Sequence, residues 1–227
     1  MREDVSNSLN QFLDDYPGMS TTPCLDSSMC LRGKFRFKAS VSGNNEIEDS
    51  YTLEIIVPGN FPHSIPKVKE TGGKIPRDGN FHVNPDGTLC LGSPLRLLKK
   101  VHNAPTLPGF ADKCLIPYLY AVSYKLLHGG SFVLGELAHG DSGIVEDYSA
   151  MLRLKTRAQI TQATMLLGIK KRIANKKSCP CGCGKRLGAC PFHHKLNEFR
   201  KMASLSWFRA HALDGRNQIL RLRGLHE

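Results

Sequence analysis

A cysteine thiolate is a strong nucleophile, and a thiol is a good leaving group for an acyl chain. Eight cysteines occur in this 227-residue chain, in contrasting settings. Cys90 lies in Phe81-His82-Val83-Asn84-Pro85-Asp86-Gly87-Thr88-Leu89-Cys90-Leu91-Gly92. Asp86-Gly87 is a turn-forming pair that would present Cys90 at a loop edge. Acyl transfer from a thiol passes through an oxyanion, which needs a donor already in place. Removing one such donor typically costs about 3 kcal/mol. His82 and Asn84 are the nearby side chains that can donate. The competing reading is that a cysteine between Leu89 and Leu91 is a small buried apolar residue.

The second setting is crowded. Cys179-Pro180-Cys181-Gly182-Cys183-Gly184-Lys185-Arg186-Leu187-Gly188-Ala189-Cys190-Pro191-Phe192-His193-His194 holds four cysteines and two histidines in 16 residues. Tetrahedral zinc takes four thiolate or imidazole ligands. Gly182, Gly184 and Gly188 supply tight turns around a metal. Ligands of this kind with no acid beside them point to a closed, structural zinc site. The spacing is not the Cys-x-x-Cys of a redox pair.

The pattern of the chain predicts the elements that hold these residues. Asn7 to Tyr16 reads as a helix stopped by Pro17-Gly18, followed by a loop rich in Ser, Thr and Cys. Residues 34–41 alternate polar and apolar, as a half-buried strand does, and Tyr51–Val57 is a second, β-branched strand. Ile65 to Thr71 is a third, with Pro66 near its start, where a missing N–H is tolerated. Ile75 to Leu107 reads as mostly loop, rich in Gly, Pro, Asn and Asp. Helical periodicity returns over Lys113–Leu127 and ends at Gly129-Gly130. One or two amphipathic helices follow within Val145–Ala174.

Composition bounds the partners. A hydrophobic content of 41% supports a real core, and no run of about 18 apolar residues occurs. The start lacks the apolar stretch of a signal peptide, so a cytoplasmic home is expected, with cysteines as thiols or metal ligands. The net charge of +11 is uneven. Residues 153–227 hold 17 Lys/Arg and 3 Asp/Glu, whereas residues 1–152 hold 14 and 17. A basic back third can face nucleic acid, an anionic membrane or an acidic protein, or simply be a solvated helical surface. Arg200, Lys201, Arg209, Arg216, Arg221 and Arg223 would offer a face to an acidic partner. Only Phe199, Trp207 and Phe208 there could stack on bases.

Residues 34–150 resemble ubiquitin-conjugating enzymes. Phe61-Pro62 with Pro66-Lys67-Val68 matches that family's proline turn, one residue short of its spacing, and Gly87 and Leu89 precede the cysteine as expected. His82-Val83-Asn84 stands for the family's His-Pro-Asn, two residues closer to the cysteine, and the usual tryptophan after the cysteine is missing. Cys90-Leu91-Gly92, Ile116-Pro117-Tyr118-Leu119-Tyr120 and Gly135-Glu136-Leu137-Ala138-His139-Gly140 are similar to the bacterial relatives. Several of those are encoded beside cGAS-like nucleotidyltransferases in cyclic-oligonucleotide antiviral operons (CBASS). The resemblance implies an α+β fold with a four-stranded antiparallel meander and flanking helices. It implies a thioester on Cys90 with the C-terminal tail of a protein, a cGAS-like nucleotidyltransferase, and transfer of that tail to an amine or other acceptor. His82 or Asn84 would be the oxyanion donor. Glu136, His139 or Asp141 would orient or deprotonate the incoming amine, or cap a helix instead.

Residues 179–194 resemble the SEC-C motif. Cys179, Cys181 and Cys190 match its spacing, and Pro191 stands where its fourth ligand follows. The resemblance implies that His193 is the fourth zinc ligand, with His194 and Cys183 as alternatives. The expected organisation is a catalytic domain over 1–152, a helical linker over 153–177 and a zinc module with a basic helical tail over 178–227. No Gly-rich nucleotide loop follows a strand, so either a separate activating enzyme loads the cysteine or activation is unconventional. The rival readings are a catalytically inactive binding protein of the same fold, a nucleic-acid-binding zinc protein, and a cysteine hydrolase.

Overall fold

The computed structural model describes residues 3–24, 27–41, 45–133 and 141–213. Contacts divide the chain into two compact units. The first is Met1–Gly92 with Lys100–Glu136, and the second is Ser93–Lys99 with Leu137–Glu227.

The first unit is α+β. Helix α1 (Glu3–Asp15) precedes β1 (Met19–Thr22), β2 (Met29–Ala39), β3 (Ile47–Val57) and β4 (Lys67–Glu70). The strands form one antiparallel meander in the order β1-β2-β3-β4. Phe35 stands opposite Tyr51, Leu31 opposite Ile55, and Ile55 opposite Val68. Side chains alternate across a sheet, so one set goes inward. Leu31, Phe35, Leu53 and Ile55 are fully buried, and Lys34, Arg36 and Lys38 are exposed between them. Phe12 of α1 and Tyr16 lie against Phe35, with ring centroids 6.3 and 4.3 Å away.

Several elements escaped the sequence reading, among them β1, a helix at Pro94–Asn103 and the short helices Leu107–Phe110 and Lys171–Ala174. β1 is short and made of Met-Ser-Thr-Thr, too polar to show an alternating signal. Helix α2 (Pro94–Asn103) lies inside the stretch read as loop. Proline suits the first turn of a helix, whose N–H has no partner in any case. Leu95, Leu98 and Val101 then recur at helical spacing and are buried. Thr106 caps the short helix α3 (Leu107–Phe110) by accepting the Gly109 N–H at 3.1 Å. After a π turn at Ala111–Leu115 comes α4 (Ile116–His128), ended by Gly129. Tyr120 of α4 donates to the Asn45 carbonyl at 2.8 Å, and Ser123 donates to Asp49 at 2.7 Å. These bonds tie α4 to β3 and its approach.

The second unit is helical around the cysteine-rich turn. It contains α5 (Asp141–Leu152), α6 (Arg157–Leu167), α7 (Lys171–Ala174), α8 (Phe192–Arg200) and α9 (Leu205–Ala210). Thr156 and Gln159 form a reciprocal capping box that starts α6. Arg200 donates to the Leu166 carbonyl at 2.7 Å and Arg209 to the Gly168 carbonyl at 2.8 Å. Both cations therefore serve the carbonyl end of α6, where the helix dipole favours positive charge. Phe199, Trp207 and Phe208 are buried in this unit, not displayed for stacking. Asp147, almost fully buried, accepts from Ser93 and from Arg96, whose Nε lies 2.7 Å away. That bond set joins residues 93–99 to α5. Among the described residues no helix is long and apolar enough to cross a membrane.

Candidate functional site

Cys90 sits at the foot of a small hairpin. The Asn84 N–H donates to the Thr88 carbonyl and the Gly87 N–H to the Asn84 carbonyl, both at 2.8 Å. Gly87 has φ 80°, a left-handed conformation that a side chain would strain. Val83 pairs with Leu89, and the Cys90 N–H donates to the His82 carbonyl at 2.7 Å. Cys90 and His82 are thus directly opposed. The hairpin also extends the sheet beyond β4. The Leu89 N–H donates to the Val68 carbonyl at 2.8 Å, and Thr88 pairs with Lys69.

Side chains complete the hairpin. Asn84 Nδ2 donates to Thr88 Oγ1 at 3.0 Å, and that hydroxyl donates to Asp86 Oδ1 at 2.6 Å. Asp86 also accepts the Thr88 N–H at 3.0 Å. These bonds from Thr88 hold the Asp86 carboxyl below the usual carboxylate range, with smaller help from Lys69 and Lys67. His82 has φ 53° and meets Phe132 edge-on at 4.7 Å. Tyr118, on α4, donates to the Phe81 carbonyl at 2.7 Å. Burial, and next the nearby Cys90 sulfur, push the Tyr118 hydroxyl's pKa up.

The first unit's other thiols are placed differently. Cys24 and Cys30 have their sulfurs 2.7 Å apart, and that contact is the first cause raising the Cys30 thiol to about 11. Cys114 is buried, which pushes its thiol up to about 11. Cys90 is half-buried. The proline turn before it has a cis Phe61–Pro62 bond with Phe61 buried. Glu136 and His139 lie outside the described residues, as do Arg216, Arg221 and Arg223. Asp141 begins α5, and its side chain is likewise outside the description.

The cysteine-rich turn gathers four sulfurs. Those of Cys179, Cys181, Cys183 and Cys190 all lie within 4.8 Å of one another and can hold a metal ion. Cys179 and Cys181 are 3.2 Å apart, and Cys181 and Cys190 3.6 Å. A tetrahedron with metal–sulfur bonds of about 2.3 Å has sulfur–sulfur edges of about 3.8 Å. Four thiols at this spacing fit that geometry. Gly182 and Gly184, at φ 80° and 73°, reverse the chain after Cys181 and Cys183. The Lys185 backbone N–H bonds to the Cys183 sulfur and is the first cause that brings this thiol down to about 7, whereas burial raises Cys179 and Cys181. The Cys179 N–H closes the turn on the Lys185 carbonyl at 2.9 Å.

His193 stands outside that sulfur group. Its Nδ1 donates to the Cys190 carbonyl at 2.7 Å, and its ring lies 3.9 Å from that of His194. The sequence held a usable signal for Cys183, since it continues the Cys-x-Cys spacing with glycine on both sides. Thr88 was not singled out. It lies two residues before Cys90 on one strand, and alternation puts such residues on one face. No family model, curated protein or solved structure matches this chain.

Proposed function

We propose that this protein is an acyl carrier and transferase of the ubiquitin-conjugating kind, acting through Cys90. The observation that carries the reading is the contrast among the first unit's thiols. Cys24 and Cys30 meet each other and Cys114 is buried, while half-buried Cys90 faces His82 on a hairpin fixed to the sheet.

In this reading a separate enzyme first activates the C-terminal carboxyl of a protein tail. The Cys90 thiolate attacks the activated carbonyl, the activating group leaves, and a thioester forms. An amine of the acceptor then attacks the thioester carbonyl and passes through an oxyanion. Collapse of that intermediate expels the Cys90 thiolate, the amine gives up a proton to solvent, and an amide remains. Asn84 is the donor to the oxyanion. Its amide nitrogen carries two N–H bonds, and Thr88 takes one and so fixes the direction of the other. His82 positions the hairpin through its backbone bond to Cys90 and its packing on Phe132. The tail donor suggested by the resemblance is a cGAS-like nucleotidyltransferase in antiviral defence, in the cytoplasm.

The sulfur group is a structural zinc site held by Cys179, Cys181, Cys183 and Cys190. The metal would supply folding free energy to the second unit and take no part in acyl transfer.

The test is a trap. Cys90→Ser or Cys90→Lys in cells converts a labile thioester into an ester or amide that survives reductant, and mass spectrometry of the adduct identifies the tail. The reading fails if natural protein carries a reductant-sensitive adduct that persists in Cys90→Ala.

A further inference from the structure

Between Asp147 and Glu198 the chain has 11 Lys/Arg and no Asp or Glu. Within this stretch α6 and α7 leave two hollows on the second unit's surface. One is shallow and wide open to solvent, and is lined by Arg157, Gln162 and Met165 among others. The other, of about 230 Å³, is lined by Arg172, Ile173, Lys176 and Lys177. Gln162 links the two regions, since its side-chain amide donates at 3.0 Å to the carbonyl of Ser178, next to Lys177. The cysteine-rich turn borders the same helix, as a Cβ on Gly182 would come 3.3 Å from the Gln159 amide nitrogen.

The chemistry of this face is mixed. Met165 is 51% exposed and Ile173 45%, each beside cations. An aliphatic residue left in water between positive charges gains from a ligand that brings both negative charge and apolar carbon. The rings of Phe199, Trp207 and Phe208, which could stack on bases, are at most 8% exposed. Single-stranded nucleic acid is held by stacking as well as charge, and this face offers no ring for it.

We propose that the outer side of α6 and α7, with residues 176–178, is a docking surface for an acidic polypeptide segment that carries aliphatic side chains. The proposal deepens the acyl-transfer reading, because it gives the tail's parent protein a place to bind apart from Cys90. A weakly bound flexible tail is raised to an effective concentration of the order of millimolar once its parent is tethered nearby.

The experiment uses the full chain with its metal and reads fluorescence anisotropy. The probes are a short labelled peptide of Glu, Asp and Leu, the same peptide with Gln and Asn for the acids, and labelled single- and double-stranded oligonucleotides. The acidic peptide is expected to bind, with an affinity that falls as salt rises. The triple variant Arg172→Glu/Lys176→Glu/Lys177→Glu should weaken it about tenfold or more. Ile173→Ser should weaken it a few-fold, at unchanged metal content and melting temperature. Reversal of Lys34, Arg36 and Lys38 on the first unit should change nothing. The proposal is overturned if the peptide does not bind, if the triple variant binds it normally, or if either oligonucleotide binds as tightly. Cys90→Ala should bind the peptide as the natural chain does. Intact peptide binding with no adduct ever trapped on Cys90 would sink the acyl-transfer reading and leave the docking surface standing.

Discussion

The Cys90 hairpin and the cysteine-rich turn place one functional group in opposite ways. In the turn, glycines at positive φ bend the backbone until four sulfurs converge within 4.8 Å, and a backbone N–H stabilises the sulfur of Cys183. Thiols gathered so closely can hold a metal ion, and a bound metal would quench them as nucleophiles. On the hairpin, the ladder from His82 to Cys90 is made of backbone pairs, Cys90 is half-buried, and no second described cysteine belongs to it. The difference teaches that the surroundings of a cysteine are set by where the backbone turns. A turn every second residue gathers thiols that could hold a metal ion, and a single turn with a straight return leaves one thiol by itself, the nucleophile of the proposed function.

The sharpest way to break that comparison is to exchange the roles. Cys90→Ala is expected to abolish any reductant-sensitive adduct, seen as loss of the shifted band on a non-reducing gel. Cys24→Ala, Cys30→Ala, Cys114→Ala and Cys183→Ala should each retain it. An adduct that moves to another cysteine would mean that the hairpin confers no privilege.

Metal removal comes next. One zinc per chain is expected by elemental analysis, and Cys179→Ala/Cys190→Ala should lose it. Apparent binding energies of structural zinc reach about 10–16 kcal/mol. Loss should therefore unfold the turn and weaken the second unit's helices, while the sheet of the first unit still melts cooperatively. Cys183→Ala should lower metal retention sharply and His193→Ala should leave it intact. The reverse result would return the fourth ligand to the histidine.

Within the hairpin, Asn84→Ala is expected to slow discharge of the thioester to an amine about 100-fold, the loss of one oxyanion donor. Thr88→Val keeps the amide but removes its guide, and should cost about tenfold or less. His82→Ala should act mainly on loading and hairpin stability. Equal losses for Asn84→Ala and His82→Ala would show that both donate. Arg96→Met, which leaves the buried Asp147 carboxylate only Ser93, should lower the second unit's stability by about 2 kcal/mol. That figure is reduced from the fully buried case because Arg96 is itself half-exposed. The reactivity of Cys90 toward a small thiol reagent should not change.

Much of this is legible in the sequence. The alternation of Lys34, Phe35, Arg36 and Phe37 writes β2 directly, and Asp86-Gly87 marks the hairpin tip. The second strand's early residues, Ile47 to Ser50, were not, because Glu48, Asp49 and Ser50 carry no apolar signal between them. The clustering of cysteines at 179–190 was plain, but their grouping was not. Which donors converge depends on the φ of Gly182 and Gly184, which composition does not encode. Arg200 and Arg209 looked like surface cations and turned out to serve carbonyls of one helix end, because a long side chain can reach a partner far away in sequence.

The smallest effect expected is a pH dependence confined to the hairpin. Thr88 donates twice to Asp86, and this holds the carboxyl's pKa below its ordinary value. A group whose folded pKa is depressed contributes stability above its unfolded pKa and loses it as pH falls through the folded value. The Thr88 clasp is therefore complete at neutral pH and opens only in acid, below about pH 4. Amide exchange, corrected for the intrinsic rate at each pH, should show protection at Leu89 and Cys90 that is flat from neutral pH down and then falls. Asp86→Asn should remove that fall, and the sulfur turn, where no carboxylate takes part, should show none of it. If Leu89 and Cys90 keep full protection in acid, the Asp86 carboxylate does not hold the hairpin. The backbone ladder from His82 to Cys90 would then be sufficient to present the thiol by itself.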